Sequence, residues 1–184
     1  MKTTIRQTLA LSAFAASMAL AAHAQAADVT VPVHAVDASG TGKALGSVTI
    51  SETPGGLTFT PALAGLPPGA RGFHVHAKGD CSPAETDGKK VPAGAAGGHL
   101  DPHDTKSHHG PGKAEKDGHA GDLPRLEVAA DGSAKTPVQA PQLKTLADVK
   151  GRALMIHAGG DNYADQPAPL GGGGARIACG VIGG

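Results

Sequence analysis

The sequence predicts an all-β fold, in which short antiparallel strands form a sandwich or a barrel. Several short runs alternate apolar and polar residues with a period of two, which is the pattern of half-buried strands. Clusters of Gly and Pro separate these runs at intervals that are typical of β-sandwiches. No segment shows the 3.6-residue apolar period of an amphipathic helix. These patterns favour sheets joined by turns over a helical architecture.

The first strand is predicted over residues 28–38, where Val29, Val31 and Val33 share one face. Pro32 lies on the opposite face and lacks a backbone N–H, which indicates an edge position in the sheet. Further strands are predicted at residues 46–51, 57–60, 72–76, 123–128, 134–140, 152–157 and 175–182.

The segments between these strands differ in character. Residues 143–149 are compatible with a short turn of helix, although packing within a loop is the favoured interpretation of their apolar residues. Three stretches that are rich in Gly and Pro show no period and are predicted to be irregular, at residues 81–96, 98–122 and 159–174.

The loop at residues 98–122 is the densest concentration of polar chemistry in the chain. A loop of this length inside a compact domain is uncommon and is usually functional or disordered. Imidazole and carboxylate groups together suit Zn²⁺, which they bind in tetrahedral geometry. The alternative is a His-rich low-complexity tract that binds metal loosely or not at all. The loop contains His99, His103, His108, His109, His119 and Asp122.

Alternation along the strand at residues 72–76 places two histidines on one side. Phe73 and Val75 can face the core, so that His74 and His76 face away from it together and are spaced to chelate one metal ion. The alternative is a pair of ordinary surface histidines, because an H-x-H motif alone is a weak signal. His157 ends another strand, at residues 152–157.

The N-terminal residues have the pattern of a secretory signal peptide. Lys2 and Arg6 are followed by an apolar run at residues 9–22 and by small residues that fit cleavage after Ala24 or Ala26. The run lacks the length and flanks of a membrane anchor. We therefore expect residues 1–26 to be removed on export, which leaves 27–184 as a single domain.

The charge of the exported chain argues against two classes of partner. Residues 27–184 carry 14 Lys and Arg against 16 Asp and Glu, because Lys2 and Arg6 are lost with the signal peptide. This slightly acidic balance disfavours binding to nucleic acid or to an anionic membrane.

The chain has two cysteines, Cys81 and Cys179. Export makes a disulfide between them the expected state. Free thiols or thiolate metal ligands are the alternative, which an oxidising compartment and only two cysteines disfavour. On the chain-entropy model a bridge closing so long a loop stabilises the fold by at most about 4–5 kcal/mol.

Taken in order, the motifs resemble those of the copper/zinc superoxide dismutase family, specifically its exported bacterial branch. The resemblance covers nearly the whole mature chain. It implies a Greek-key β-sandwich or flattened barrel of about eight antiparallel strands with long metal-binding and active-site loops. The family is a known example of this sandwich architecture and of diffusion-limited catalysis. The matching motifs are GFHVH at 72–76, GGH at 97–99, HHGP at 108–111, GHAGDLP at 118–124, ALMIHAGGDNYAD at 153–165 and GGGGARIACGVI at 171–182.

The resemblance also implies two metal sites that share one histidine. His108 rather than His109 matches the zinc position, because the family pattern H-x-G-P places the ligand three residues before Pro111. His103 and His109 match no family position and are expected to be exposed. The implied copper ligands are His74, His76, His99 and His157, and the implied zinc ligands are His99, His108, His119 and Asp122.

Other family positions are matched as well. Asp161 matches the carboxylate that hydrogen-bonds one ligand histidine of each site, and Arg176 matches the arginine beside copper. Cys81 and Cys179 match the family disulfide.

The implied function is dismutation of superoxide to dioxygen and hydrogen peroxide, an antioxidant activity with one copper and one structural zinc per chain. Arg176 would dock the superoxide anion, and the bridging His99 would deliver a proton. The implied location is the periplasm of a Gram-negative bacterium, with monomer and homodimer both open. The alternative is a non-catalytic periplasmic protein that binds copper or zinc on the same fold. Retention of Arg176, His99 and both ligand sets favours the enzyme.

Overall fold

The computed structural model describes residues 28–112 and 115–183. The signal peptide at residues 1–26 lies outside the described residues and stays a prediction. The described ranges contain eleven strands, one short α-helix and three 3₁₀ turns. The strands are β1 (Val29–Asp37), β2 (Gly40–Thr53), β3 (Gly56–Leu63), β4 (Gly69–Arg71), β5 (Phe73–His76), β6 (Ala84–Thr86), β7 (Lys89–Val91), β8 (Leu126–Val128), β9 (Val138–Ala140), β10 (Ala153–His157) and β11 (Arg176–Val181). The helix is α1 (Leu146–Val149), and the 3₁₀ turns are Gly94–Ala96, Glu115–Asp117 and Leu170–Gly172.

Seven of these strands form one antiparallel sheet in the order β5-β10-β11-β1-β2-β3-β9. Two short pairs, β4 with β8 and β6 with β7, lie outside it. The predicted all-β architecture is confirmed, and these short pairs raise the strand number above the expected eight or so. The order places β5 beside β10, so that the two strands carrying His74, His76 and His157 are neighbours.

β1 lies between β2 and β11, so the edge position predicted from Pro32 is wrong. The stretch of β1 that is registered with β11 covers His34 and Ala35. Pro32 lies before that stretch, and its missing N–H therefore interrupts none of those pairs. Register shifts beside His34 also change the phase of the strand, so that Val36 rather than Ala35 is the next buried residue.

The core consists of aliphatic side chains and two phenylalanines. The rings of Phe59 on β3 and Phe73 on β5 meet edge to face, with centroids 6.0 Å apart. Burial of each large apolar side chain contributes about 1.5–3 kcal/mol to folding. Because Phe73 and Val75 are both buried in this core, they fix the backbone of β5 and so the positions of the histidines that alternate with them. Other fully buried members are Ile50, Leu57, Leu63, Leu123, Leu126, Leu154 and Ile156.

The predicted disulfide is confirmed. Cys81 and Cys179 are bonded, with Cα atoms 5.8 Å apart across a sequence separation of 98 residues. Cys179 is buried in a second apolar cluster with Met155 and Val36, against which Cys81 packs. The bridge therefore fastens the segment after β5 to the strand that begins at Arg176.

The segment at residues 81–96 was predicted to be irregular, and this prediction is wrong. It contains the β6–β7 hairpin, in which Thr86 pairs with Lys89. The two turn residues, Asp87 and Gly88, have φ values of 50° and 71°. Asp-Gly is the sequence signal for a two-residue type I′ turn, which requires positive φ at both positions. The Asp-Gly dipeptide therefore indicates the hairpin better than the residue pattern of its short, polar strands does.

At residues 143–149 loop packing was favoured over a short turn of helix, and the structure shows the helical turn, α1. Thr145 and Asp148 form a capping box at its N-terminus, which satisfies backbone N–H groups that the first turn leaves unpaired. No helix among the described residues combines the length and apolar character needed to cross a membrane.

Candidate metal centre

Four buried histidines meet at the β5–β10 pair. β5 contributes His74 and His76, and β10 ends at His157. An isolated antiparallel bridge pairs His99 with His76 and so brings the long loop onto the sheet. One ring nitrogen from each of the four histidines lies within 4.8 Å of the others. Residues from three separate segments thus form one compact cluster, named here the four-histidine cluster.

Hydrogen bonds on the outer side of the rings orient this cluster. Nδ1 of His76 lies 2.8 Å from the carbonyl oxygen of Gly97, and Nδ1 of His157 lies 3.1 Å from that of Gly174. A carbonyl can only accept, so each Nδ1 carries the proton. The Nε2 atoms, 3.4 Å apart, are left as lone-pair donors inside the cluster. Such outer partners fix the tautomer and the ring plane of metal-binding histidines.

A second cluster surrounds the buried carboxylate of Asp122. Oδ1 lies 2.8 Å from Nδ1 of His99, and Oδ2 lies 2.8 Å from Nδ1 of His108. Nδ1 of His119 is 3.4 Å from Oδ1, slightly farther away. The atoms within 4.8 Å of one another come from His74, His99, His108 and Asp122, so that His119 lies at the margin of this Asp122 cluster.

His99 belongs to both clusters. Its Nδ1 faces Asp122, whereas its buried Nε2 has no hydrogen-bond partner among the described residues. Its ring stacks on that of His74 with centroids 4.0 Å apart and contacts His157 at 6.0 Å. One imidazole therefore presents a nitrogen to each of two adjacent groups of ligand atoms.

Asp161 also links the two clusters, from the other side. Its Oδ2 lies 2.8 Å from Nε2 of His74, and its Oδ1 lies 2.7 Å from Nε2 of His108. Oδ1 also accepts the backbone N–H of Tyr163 at 2.7 Å. Burial opposes the charge of Asp161, but the hydrogen bonds with both histidines outweigh it and hold the pKa well below its usual value. The carboxylate is therefore ionised and directs Nδ1 of each ring into its cluster.

Burial keeps the four-histidine cluster uncharged. It lowers the pKa of His74 to about 3 and that of His157 to about 4, and neighbouring His99 adds to both effects. The pKa of His76 is well below its usual value for the same reasons. Neutral imidazoles offer lone pairs, which is the form that binds metal ions.

His108 differs from the other histidines. Burial would lower its pKa, but hydrogen bonds to the carboxylates of Asp122 and Asp161 outweigh burial and raise the pKa to about 9. The Asp122 carboxylate, in turn, has a pKa held below its usual range, with burial opposing and contacts to His108, His119 and His99 lowering it. The Asp122 cluster thus attracts positive charge, whereas the four-histidine cluster is neutral.

Arg176 lies at the start of β11, opposite His157 in the ladder. Its Nη1 donates to the carbonyl of Ala93 and its Nη2 to that of Gly97, both at 2.6 Å. The Gly97 carbonyl is the one that also accepts from His76. The guanidinium is therefore fixed beside the four-histidine cluster and remains half-exposed.

The two clusters fit one copper and one zinc. Two buried ring nitrogens of the four-histidine cluster have no hydrogen-bond partner in the described part of the chain, which would cost about 1–3 kcal/mol each if nothing satisfied them. Four neutral imidazoles suit copper, and a group of imidazoles with one carboxylate suits zinc. The unpartnered atoms are His74 Nδ1 and His99 Nε2. In the Asp122 cluster the potential ligand atoms instead contact one another, with Nδ1 of His108 2.8 Å from Oδ2 of Asp122.

Comparison with known proteins decides the family. The family model described as copper/zinc superoxide dismutase matches residues 44–182. The chain belongs to the copper/zinc superoxide dismutase family. The Cu-Zn superoxide dismutase 2 of Salmonella typhimurium is 60% identical over 161 residues, which cover 88% of this chain and 91% of that protein. The Cu-Zn superoxide dismutase of Escherichia coli K12 is 55% identical over 166 residues, covering 90% and 94%.

Solved structures of superoxide dismutases extend the likeness to the fold. The Cu/Zn superoxide dismutase from Brucella abortus aligns with a TM-score of 0.82 and 56% identity, covering 85% of this chain and 99% of that one. The monomeric copper, zinc superoxide dismutase from Salmonella enterica aligns with a TM-score of 0.75 and 58% identity over the same shares. The predicted β-sandwich or flattened barrel is thereby confirmed, and the family carries one copper and one zinc.

The structure brings together every site residue that the sequence singled out. His74, His76, His99 and His157 form one cluster, whereas His99, His108 and Asp122 meet in the other, with His119 at its margin. Their individual roles as ligands stay predictions. His103 and His109 lie exposed on the loop, as expected.

The sequence did not reveal the residues that orient or position other side chains in this superoxide dismutase site. The carbonyls of Gly97 and Gly174 orient ligand rings, and a carbonyl carries no sequence signal. Asp165 lies in the loop at residues 159–174, where no motif singles it out, yet it accepts the backbone N–H of His108. Gly171 packs so closely that a Cβ would lie 2.0 Å from Asp161 Oδ1. The run of glycines at residues 171–174 was a signal of such close packing.

Proposed function

We propose that this chain dismutates superoxide, converting two superoxide anions and two protons into dioxygen and hydrogen peroxide. Membership of the copper/zinc superoxide dismutase family supports this activity. The observation that carries the residue-level proposal is the position of His99, which turns one nitrogen towards each cluster. A protein that only stored metal would not need two sites joined through one ring.

The four-histidine cluster would hold copper through His74 Nδ1 and the Nε2 atoms of His76, His99 and His157. Bound copper supplies the one-electron exchange that zinc cannot provide, by alternating between Cu(II) and Cu(I). The protein keeps all four rings neutral, and Asp161, Gly97 and Gly174 fix the rings of His74, His76 and His157, respectively. The ligand atoms therefore need little rearrangement between the two halves of the reaction.

The Asp122 cluster would hold zinc through Asp122 and the Nδ1 atoms of His99, His108 and His119. Its role is structural, because it fixes the plane of His99 from the side remote from the four-histidine cluster. The ionised carboxylate supplies the negative charge that a divalent cation requires.

His99 is the proposed proton donor. Because its Nδ1 is engaged on the Asp122 side, Nε2 is the atom that would bind oxidised copper. It would take up a proton when the reduced metal holds it less tightly, and would release that proton to the reduced oxygen species. Burial lowers the pKa of His99, against the effect of Asp122, so that the ring is neutral in the metal-free protein. Each peroxide formed consumes two protons, of which His99 would deliver one and solvent the other, and solvent would also supply the next proton to His99.

Arg176 is the proposed docking residue for superoxide. Its guanidinium keeps its charge near neutral pH, even though burial lowers its pKa somewhat. The carbonyls of Ala93 and Gly97 hold it in place. Because the mature chain is slightly acidic, a local cation is needed to attract an anion. Focused positive potential can raise association rates by roughly 10–10³-fold.

We further propose that the mature chain works in the periplasm after loss of residues 1–26. The disulfide and the apolar N-terminal run support export. The similar proteins come from Gram-negative bacteria such as Salmonella typhimurium and Escherichia coli. Mass spectrometry of the periplasmic fraction would distinguish cleavage after Ala24 from cleavage after Ala26. Homodimer formation stays a prediction that analytical ultracentrifugation tests.

The deciding experiment measures metal content and superoxide consumption on the same purified mature sample. One copper and one zinc per chain, with activity lost on copper removal and regained on its return, support the proposal. Zinc uptake without copper uptake, together with no activity, contradicts it and favours the non-catalytic metal-binding alternative. In that case His74, His76 and His157 do not form a copper site.

A further inference from the structure

A second aspartate of the segment 159–174 contacts the loop that carries His108. Oδ2 of Asp165 accepts the backbone N–H of His108 at 2.9 Å, across a separation of 57 residues. Its Oδ1 accepts the backbone N–H of Leu170 at 3.2 Å. The bond from His108 is the leading reason why the pKa of Asp165 lies below its usual value. One ionised carboxylate therefore joins the two loops.

We propose that Asp165 is a positioning residue for zinc, which fixes the backbone of His108 while Asp161 fixes its ring. The ring is held at Nε2 by Asp161, 2.7 Å away. That contact holds the ring alone and leaves the backbone of His108 free to shift with its loop. A second contact, at the amide of the same residue, removes this freedom and leaves Nδ1 directed at Asp122. The inference rests on the zinc role proposed above for His108.

Backbone hydrogen bonds connect the two ends of the segment that carries both aspartates. The N–H of Asn162 donates to the carbonyl of Gly171 at 3.1 Å, and the N–H of Gly171 donates to that of Ala164 at 3.0 Å. Gly171 has φ 69° and touches Asp161, so a side chain there would collide with the carboxylate. The spacing between the carboxylates of Asp161 and Asp165 is therefore set by backbone hydrogen bonds.

Tyr163 adds a third attachment between the two loops. Its ring lies against Gly110, where an added Cβ would come within 2.5 Å of it. Its hydroxyl accepts the backbone N–H of Arg125 at 3.0 Å. The segment 161–171 is thus packed onto the His108 loop at three points, and His108 is positioned before any metal arrives. A ligand that is already positioned costs less ordering entropy on metal binding.

Loss of Asp165 could weaken zinc binding in two ways, through position or through charge. A matched control separates them. Asp104 lies exposed in the same loop as His108 and pairs with Lys106 at 3.4 Å. Asp104→Asn removes the same charge without touching His108, and Asn tolerates the φ of 52° at that position.

The experiment compares the mature wild type with Asp165→Ala, Asp165→Asn and Asp104→Asn. Zinc dissociation constants are measured on metal-free protein by competition with a chromophoric chelator. Amide hydrogen exchange of His108 is measured by NMR on the same metal-free samples as a readout of the hydrogen bond itself, with Asp104→Asn as the control for the effect of charge on exchange. We expect Asp165→Ala to raise the zinc dissociation constant by about tenfold, the lower end for such outer contacts. We also expect faster exchange at His108.

Asp165→Asn should lie between wild type and Asp165→Ala, because its amide oxygen can still accept from one of the two N–H groups. Asp104→Asn should match wild type. If Asp165→Ala does not fold, Asp165→Asn is judged by the same two readouts. Equal values for the Asp165 and Asp104 variants overturn the inference, and so does weaker zinc binding with unchanged exchange. Absence of zinc uptake by the wild type would instead refute the proposed zinc site, and the exchange data would still report on the contact itself.

Discussion

Asp161 Oδ1 lies 2.7 Å from Nε2 of His108, on the side of the ring opposite the nitrogen that approaches Asp122. The other oxygen makes the same kind of contact with His74. A single carboxylate thus orients one residue of each cluster. Ring orientation and ligand basicity at the two clusters are therefore coupled through Asp161.

Replacement of Asp161 by Asn should therefore affect both metals, and zinc first. An amide can accept from only one ring and presents its NH₂ group to the other. We expect the zinc dissociation constant to rise by about 10–100-fold, with a smaller effect on copper. Competition titration of each metal measures this, and Asp104→Asn is the charge-matched control. Equal zinc affinity in wild type and Asp161→Asn would show that the carboxylate does not orient His108.

His108 and His109 offer a matched pair of neighbouring histidines. His108 is buried against Asp122, whereas His109 is exposed. His108→Ala should release zinc, because it removes one ligand and leaves Asp122 with an unpaired oxygen. His109→Ala should retain zinc within about twofold of wild type, as expected for an exposed position. Metal analysis after gel filtration tests both, and zinc loss from the His109 variant would reverse the assignment.

Arg176→Ala should keep both metals yet react more slowly with superoxide. Without the guanidinium the anion loses its nearest fixed positive charge, so kcat/KM should fall by about tenfold at low salt. The decline of the rate with salt should also become flatter, since screening acts on the charge that was removed. Pulse radiolysis at several ionic strengths measures both effects. Arg125→Ala, which removes an exposed arginine paired with Glu127, is the control; an Arg176 variant with the wild-type rate at low salt contradicts docking.

Features of this fold that depend on neighbouring residues in the sequence were predictable, and features that depend on the whole sheet were not. Alternation in β5 was enough to place His74 and His76 together, because side-chain direction in a strand follows from position alone. Pro32 was misleading, since a missing N–H matters only where a neighbouring strand is registered, and that depends on the whole sheet. The β6–β7 hairpin was missed because its strands are three residues each and polar, although Asp87-Gly88 specified the turn.

The residues of the candidate site likewise divide into those that the sequence revealed and those that it did not. Ligand residue types were visible because five of the ten histidines lie together with Asp122 in the loop at residues 98–122. The orienting groups were not visible, because Gly97 and Gly174 act through backbone carbonyls. The role of Asp165 was not visible for a related reason, since its partner is a backbone N–H more than fifty residues away. Such contacts depend on tertiary structure and leave no local pattern.

Reduction of the Cys81–Cys179 bridge should lower thermal stability. The bond removes entropy from the unfolded chain, and its loss should lower Tm by up to about 15 °C for a domain of this size. Calorimetry with and without reductant, on metal-loaded protein, gives the shift. Cys81→Ala/Cys179→Ala serves as a permanently reduced comparison. An unchanged Tm in both would mean that the loop at residues 81–96 is held by packing alone.

Zinc binding to metal-free protein should release a proton near neutral pH, and the number of protons released should fall as pH rises. His108 has its pKa raised to about 9 by Asp122 and Asp161, which outweigh burial. Below that pH the ring carries a proton that zinc must displace from Nδ1, so zinc affinity should increase as pH rises and level off above about 9. The increase should approach about tenfold per pH unit. Isothermal titration in buffers of different ionisation enthalpy counts the protons released. Close to one proton from His108 is expected near neutral pH and none well above 9, and zinc binding without proton release near neutral pH would mean that His108 is not held in its charged form.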